Sequence, residues 1–186
     1  MFNAIRRETI FISSLARTFY RMRHVKPDSA ETVADVVEAV ARAYPDNPAI
    51  IFQDRTVTYR QMDGWAARYA RWGQAQGIGK GDVVALLMEN RPEYLFVWLG
   101  LLKLGAVVAL INTNLRGQPL AHCVSIAGAR HIIVGAELAD VYREAAVQIA
   151  PAPALWITDE NGGGTLDAAM AAASSEPFAP KAHEGL

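Results

Sequence analysis

Residues 94–111 read YLFVWLGLLKLGAVVALI, an apolar run with a single charge. A run this long either crosses a bilayer as one helix of roughly 20 residues or is broken into shorter elements buried in a protein core. The residues at its start and inside it decide. Asn90 is a good N-cap, Pro92 falls in the first turn where its missing N–H costs nothing, and Glu93 suits the positive end of a helix dipole. A helix is expected to start there. Lys103 then favours the negative carboxyl end, and Gly105 supplies the left-handed residue that commonly ends a helix. Val107-Val108-Ala109-Leu110-Ile111 follows, β-rich and apolar on both faces, as a central strand of a parallel sheet should be. The run is therefore expected to form helix, turn and buried strand.

The same logic repeats along the chain. Val33, Val36, Val37, Val40 and Tyr44 follow helical spacing with one buried face until Tyr44-Pro45 stops it. AIIFQDRTVTY reads as two short strands about a polar Gln53-Asp54-Arg55 turn, and Thr58 with Gln61 forms a capping box. The next helix carries Met62, Trp65, Ala66, Tyr69 and Trp72 as a core stripe. Val83–Met88, His131–Val134 and Leu155–Thr158 read as strands. The helices between them are striped by Leu120, Cys123, Val124 and Ala127, and by Leu138, Val141, Tyr142, Ala145 and Ile149. Strands alternating with helices give an α/β fold: a mostly parallel sheet flanked by helices on both sides.

Two glycine-rich stretches invite a phosphate-binding reading. GIGKGD at 77–82 fails it, because Gln74 and Gly81 stand where a P-loop needs Gly and Ser/Thr, and the loop leaves a helix to enter a strand. It reads as a helix cap and turn. Gly162–Gly164 before Thr165 has no lysine after it and reads as a flexible turn.

Composition narrows the function classes. A 52% apolar, 20% charged chain of 186 residues is core-rich and near one domain in size. Its net charge of −1 implies no overall polyanion-binding field, so no nucleic-acid partner is expected. The charge is uneven: Arg6, Arg7, Arg17, Arg21, Arg23 and Lys26 face only Glu8 over the first 26 residues. This arm lacks the apolar core of about 7 to 15 residues that a secretory signal requires. On a helical projection Arg6, Arg7, Arg17 and Arg21 cluster opposite Ile5, Phe11, Ile12, Leu15, Ala16 and Phe19. Such a basic amphipathic helix can lie on an anionic membrane surface, or its apolar side can pack on a protein core; both readings stay open. The lone Cys123 excludes an intramolecular disulfide and fits a reducing, cytoplasmic setting, with the inner face of the membrane as the arm's site.

Candidate site residues are few. In open α/β sheets ligands sit beyond the carboxyl ends of strands, and here those ends present Glu89-Asn90, Asn112-Thr113-Asn114, Gly135 and Thr158-Asp159. No catalytic constellation stands out. Asn112 and Asn114 are the substrate-binding candidates, and a local turn closed by asparagine side chains is the competing account. His24, His122, His131 and His183 lack metal-ligand spacing, so no metal site is expected.

The stretch TYRQMDGWAARYARWGQAQGIGKGDVVALLMENRPEYLFVWLGLLKLGAVVALINTNLRGQPLAHC resembles the amino-terminal portion of the adenylate-forming acyl-CoA synthetases, within the AMP-binding enzyme superfamily. WLGLLKLGAVVALINTNLRGQPLAHC is especially similar to the fatty acid transport protein, or very-long-chain acyl-CoA synthetase, branch. The resemblance spans about residues 30–150. It implies the first subdomain of the ligase's N-terminal domain and a two-step reaction that uses ATP, Mg²⁺, CoA and a fatty acid. The Ser/Thr/Gly-rich loop with its lysine, the aromatic-Thr-Glu segment, the ribose-binding aspartate and the carboxyl-terminal lysine of that family are absent from this sequence. No catalytic or cofactor-binding residue is therefore expected here. The expected organisation is a basic amphipathic arm (1–28), an α/β subdomain (29–160), and a linker with a weak helix (161–186) leading towards a missing nucleotide-binding region, with the remainder of the ligase as partner. The alternative is a non-catalytic α/β module that binds a partner or a membrane surface.

Overall fold

The computed structural model describes residues 15, 17, 18, 20, 32–159, 161–171 and 173–178. The chain divides into two units, 1–31 and 32–186. In the first, Leu15, Arg17, Thr18 and Tyr20 are helical and exposed; the expectations for Arg6, Arg7 and Arg21 lie outside the described residues.

The second unit opens with α1 (Val33–Ala43), started by a capping box between Thr32 and Asp35. A hairpin of β1 (Pro48–Phe52) and β2 (Arg55–Thr58) follows, turning through Gln53 at φ 51°. Thr58 and Gln61 form the expected capping box of α2 (Tyr59–Ala75). Then come β3 (Val83–Leu87), α3 (Pro92–Leu102), β4 (Val107–Leu110), α4 (Gly117–Ala127), β5 (His131–Gly135), α5 (Ala139–Ala146), β6 (Ala154–Thr158) and α6 (Thr165–Met170). Strands β4-β3-β5-β6 form a parallel sheet in that order. Alternation along β3 feeds both sides. Val84 and Leu86 join Phe96, Val97 and the α2 stripe in one core, while Ala85 and Leu87 join Leu120, Leu138 and Tyr142 in the other. The α/β sheet flanked by helices is as expected.

The apolar run resolves into α3, a turn and β4, with Gly105 at φ +71°. Among the described residues no helix is long and apolar enough to cross a membrane. Four details differ from expectation. Arg91, not Asn90, is the N-cap of α3: it is extended and makes no side-chain cap bond, since a guanidinium has no acceptor to offer the helix N–H groups, and it donates instead to Glu137 and the Thr158 carbonyl. β4 is an edge strand among the described residues, with Val107 and Leu110 about half exposed, since only β3 pairs with it. On α1 the buried residues are Ala34 and Ala41, while Val33, Val36 and Tyr44 are exposed; the helix is turned so that Glu38 meets the buried Lys103 at 2.9 Å. Cys123 is only partly buried.

Candidate functional site

Among the described residues, the carboxyl edge of the parallel sheet gathers a connected set of charged and polar groups. After β3 the chain leaves to the α3 side, and after β5 to the α5 side, so the two loops part between adjacent strands. That divergence is where open α/β sheets form a crevice. Here the crevice is occupied by the chain's own groups. The Glu137 carboxylate accepts from the Glu89 N–H at 3.0 Å and from Arg91 Nη1 at 3.2 Å. Arg91 Nη2 donates to the Thr158 carbonyl at 3.1 Å, and Glu93 takes Arg55 at 2.6 Å. Gly135 permits this arrangement, because a Cβ there would stand 2.1 Å from Glu137 Oε1. A cleft of about 300 Å³ remains beside Asn90, Glu137 and Asp159.

A larger cleft of about 470 Å³ opens among Trp65, Arg68, Tyr69, Phe96, Asp159, Asp167 and Met170. Its aromatic wall is Trp65 stacked on Phe96, centroids 5.9 Å apart. Asp167 closes the floor by accepting from Thr158 Oγ1 (2.8 Å), the Asp159 N–H (2.7 Å) and the Gly164 N–H (2.9 Å). Burial pushes the Tyr69 hydroxyl far above the usual phenol range, against the opposing effect of its hydrogen bond with Thr158. Tyr69 is thus a neutral hydrogen-bonding group at any physiological pH.

Asn112 and Asn114 stand away from both clefts. Asn112 Oδ1 accepts from the Asn114 N–H at 2.9 Å, a local turn beyond β4. Arg17 is exposed. Of the strand-end residues named from the sequence, Glu89, Gly135, Thr158 and Asp159 do converge. Arg91, Glu137, Tyr69 and Asp167 were missed. For Arg91 and Glu137 the sequence signal was a charged residue within a few positions of a strand end; Tyr69 read only as part of the α2 core stripe, and Asp167 carried no signal.

Among the described residues no three His, Cys, Asp or Glu side chains are grouped to hold a metal ion. Arg55 and Arg91 are held by carboxylates, and the Asp159 and Gly164 N–H groups by Asp167. This seam does not fit a triphosphate.

Residues 37–182 match the family model described as AMP-binding enzyme. The chain belongs to the AMP-binding enzyme family. It is similar to long-chain fatty acid transport protein 1 of Mus musculus, 31% identical over 190 residues, covering 97% of this chain and 29% of that protein. It is also similar to the medium/long-chain-fatty-acid–CoA ligase FadD6 of Mycobacterium tuberculosis, 32% identical over 119 residues, covering 64% of this chain and 20% of the ligase. Among solved structures, the N-terminal domain of FACL13 from Mycobacterium tuberculosis superposes with a TM-score of 0.71 at 30% identity, covering 82% of this chain and 39% of that one. The chain therefore spans less than a third of the length of these curated relatives, and it corresponds to the amino-terminal portion of adenylate-forming enzymes.

Proposed function

We propose that the chain is the amino-terminal segment of a long-chain or very-long-chain fatty acid–CoA ligase and is inert alone. In the complete enzyme a fatty carboxylate would displace pyrophosphate from ATP, with Mg²⁺, to give the acyl-adenylate, and the CoA thiol would then displace AMP. The observation that carries this reading is the match of the α/β unit to the N-terminal domain of FACL13 together with fatty acid transport and ligase relatives. This segment would supply scaffold and partner surface, the reacting groups coming from the remainder of the ligase. Removing one group that stabilises transition-state charge typically costs about 10² to 10³ in rate, so a chain without any of the nucleotide-gripping motifs should be inactive.

The isolated chain is expected to show no fatty-acid-dependent exchange of pyrophosphate into ATP. Joined to the carboxyl-terminal remainder of a fatty acid–CoA ligase, it is expected to support that exchange. Exchange by the isolated chain that disappears when fatty acid is omitted would refute the inert-segment reading; a well-folded fusion that stays inactive would count against the ligase reading.

A peripheral role on the cytoplasmic face of a membrane is proposed for residues 1–28. The helical conformation at Leu15, Arg17, Thr18 and Tyr20 and the exposure of Arg17 support it. Binding to vesicles containing anionic lipid should weaken with salt. It should fall by about 1 kcal/mol for each of Arg6, Arg7, Arg17 and Arg21 changed to Ser. Salt-independent binding in a co-sedimentation assay would remove the arm from this role.

A further inference from the structure

We propose that the open edge of β4 is a docking site for a β-strand from the remainder of the ligase, an inference that rests on the function proposed above. The two outer strands of the parallel sheet end differently. On β6 the Ala154 N–H donates to the Arg130 carbonyl at 2.9 Å, so by alternation Ile157 and Asp159 turn their N–H groups away from β5. The chain itself seals both: Thr165 Oγ1 accepts from the Ile157 N–H at 3.0 Å and Asp167 from the Asp159 N–H at 2.7 Å. On β4 the Val107 and Ile111 N–H groups donate to the Asp82 and Leu86 carbonyls at 2.8 and 2.9 Å, which leaves the N–H and C=O of Val108 and Leu110 facing outward. Among the described residues no second strand and no side chain takes them.

The side chains of β4 say what fits there. Val-Val-Ala-Leu carries no charge, proline or bulge of the kind that guards an edge left in water. Val108 and Leu110 lie on the face whose core includes Phe96 and Val97, and Val107 and Ala109 on the opposite face. Val107 and Leu110 are each about half exposed, so both faces stop short together, as they do where a parallel sheet lacks its next strand. The occupant is therefore a strand, which meets the outward N–H and C=O groups, and one that is apolar on both of its faces. A second copy of β4 fits less well. Pairing two of these strands brings together four residues from each copy, against the roughly 20 to 30 a side of a stable interface. The remainder of the ligase is the larger body, since this chain covers only 29% of long-chain fatty acid transport protein 1, and a strand tethered in the same polypeptide pairs at high effective concentration.

The test is amide hydrogen exchange, read residue by residue, on the whole chain and on the chain joined to the carboxyl-terminal remainder of a fatty acid–CoA ligase. In the chain alone the Val108 and Leu110 amides are expected to exchange within about tenfold of an unstructured peptide, and in the joined protein at least about a hundredfold more slowly. The Val107 and Ile111 amides, bonded to β3, are expected to be protected in both. Val108→Pro removes an outward donor and no bond to β3. It is expected to leave the unfolding midpoint of the chain alone nearly unchanged and to abolish the added protection of Leu110 in the joined protein. Fatty-acid-dependent pyrophosphate exchange by the joined protein reports the ligase reading separately. Unprotected Val108 and Leu110 in a folded joined protein would overturn the docking strand, and the ligase reading survives that result if the protein is active. Protection in a folded but inactive joined protein supports the strand and counts against the ligase reading. Protection already present in the chain alone would also overturn the proposal, and its rise with protein concentration would assign the edge to a second copy.

Discussion

Lys103→Met is expected to lower the unfolding free energy by about 3–5 kcal/mol, the usual result of removing one partner from a buried ion pair. The lysine side chain is 3% exposed, and its ammonium lies 2.9 Å from both Glu38 on α1 and Asp63 on α2. The contact with Glu38 is a directed hydrogen bond, whereas that with Asp63 is an ion pair without one. Lys103 itself follows α3, so a single ammonium ties three helices together. Methionine restores most of the volume and none of the charge, leaving two largely buried carboxylates facing each other. Urea unfolding followed by circular dichroism measures the loss. Adding Glu38→Gln and Asp63→Asn to the same variant should recover a substantial part of it, because the uncompensated charge is then gone. A loss below about 1 kcal/mol would mean the triad behaves like a solvated surface pair.

That triad also marks the limit of what the sequence made legible. The alternation of strands and helices, the Thr58–Gln61 capping box and the left-handed Gly105 were readable because each is set by local chemistry: periodicity, a side chain reaching its own helix end, a missing Cβ. The rotation of α1 was not. Hydrophobic spacing favoured its valines, and Val37 does pack on the core, but the face that turns inward also carries Ala34, Ala41 and Glu38, because small residues allow close approach and Glu38 has a charge to meet. Lys103 looked like a cation suited to a helix end until its two partners, 65 and 40 positions away in sequence, came into view. Likewise an apolar strand reads the same whether one neighbour or two will pair with it, so the edge position of β4 among the described residues is not legible in the sequence.

The carboxyl edge was half legible for a related reason. Topology alone placed Glu89, Gly135, Thr158 and Asp159 at strand ends. The residues that join them reach in from elsewhere: Tyr69 from α2, Arg91 from the start of α3 and Asp167 from α6. Propensity favours Asn90 as the cap of α3, yet the chain gives that position to Arg91. Its long side chain links α3 to Glu137 and to the end of β6, work a short asparagine could not reach.

Gly100→Val is expected to destabilise the fold by about 3 kcal/mol or more. On helix propensity alone the sign would be opposite, since valine is a better helix residue than glycine by a few tenths of a kcal/mol. In a membrane-spanning helix the change would likewise do no harm. What reverses it is the approach of α2 and α3. A Cβ on Gly100 would stand 2.6 Å from the Ala66 carbonyl oxygen and 2.6 Å from Tyr69 Cβ. The obstacle is backbone, so no rotamer change can clear it. The facing surface of α2 is already reduced to Ala66 and Ala70, each 1% exposed or less. The helices must therefore separate, which loosens the Trp65–Phe96 stack as well as the core between them, and overpacking of this kind costs at the upper end of the usual 1–3 kcal/mol or beyond. Thermal and urea unfolding of the variant check the size of the effect, and Gly100→Ala checks its cause. Alanine gains about 1 kcal/mol of helix propensity, so a stabilised alanine variant would show that the two helices do not approach this closely, whereas a destabilised one requires that they do.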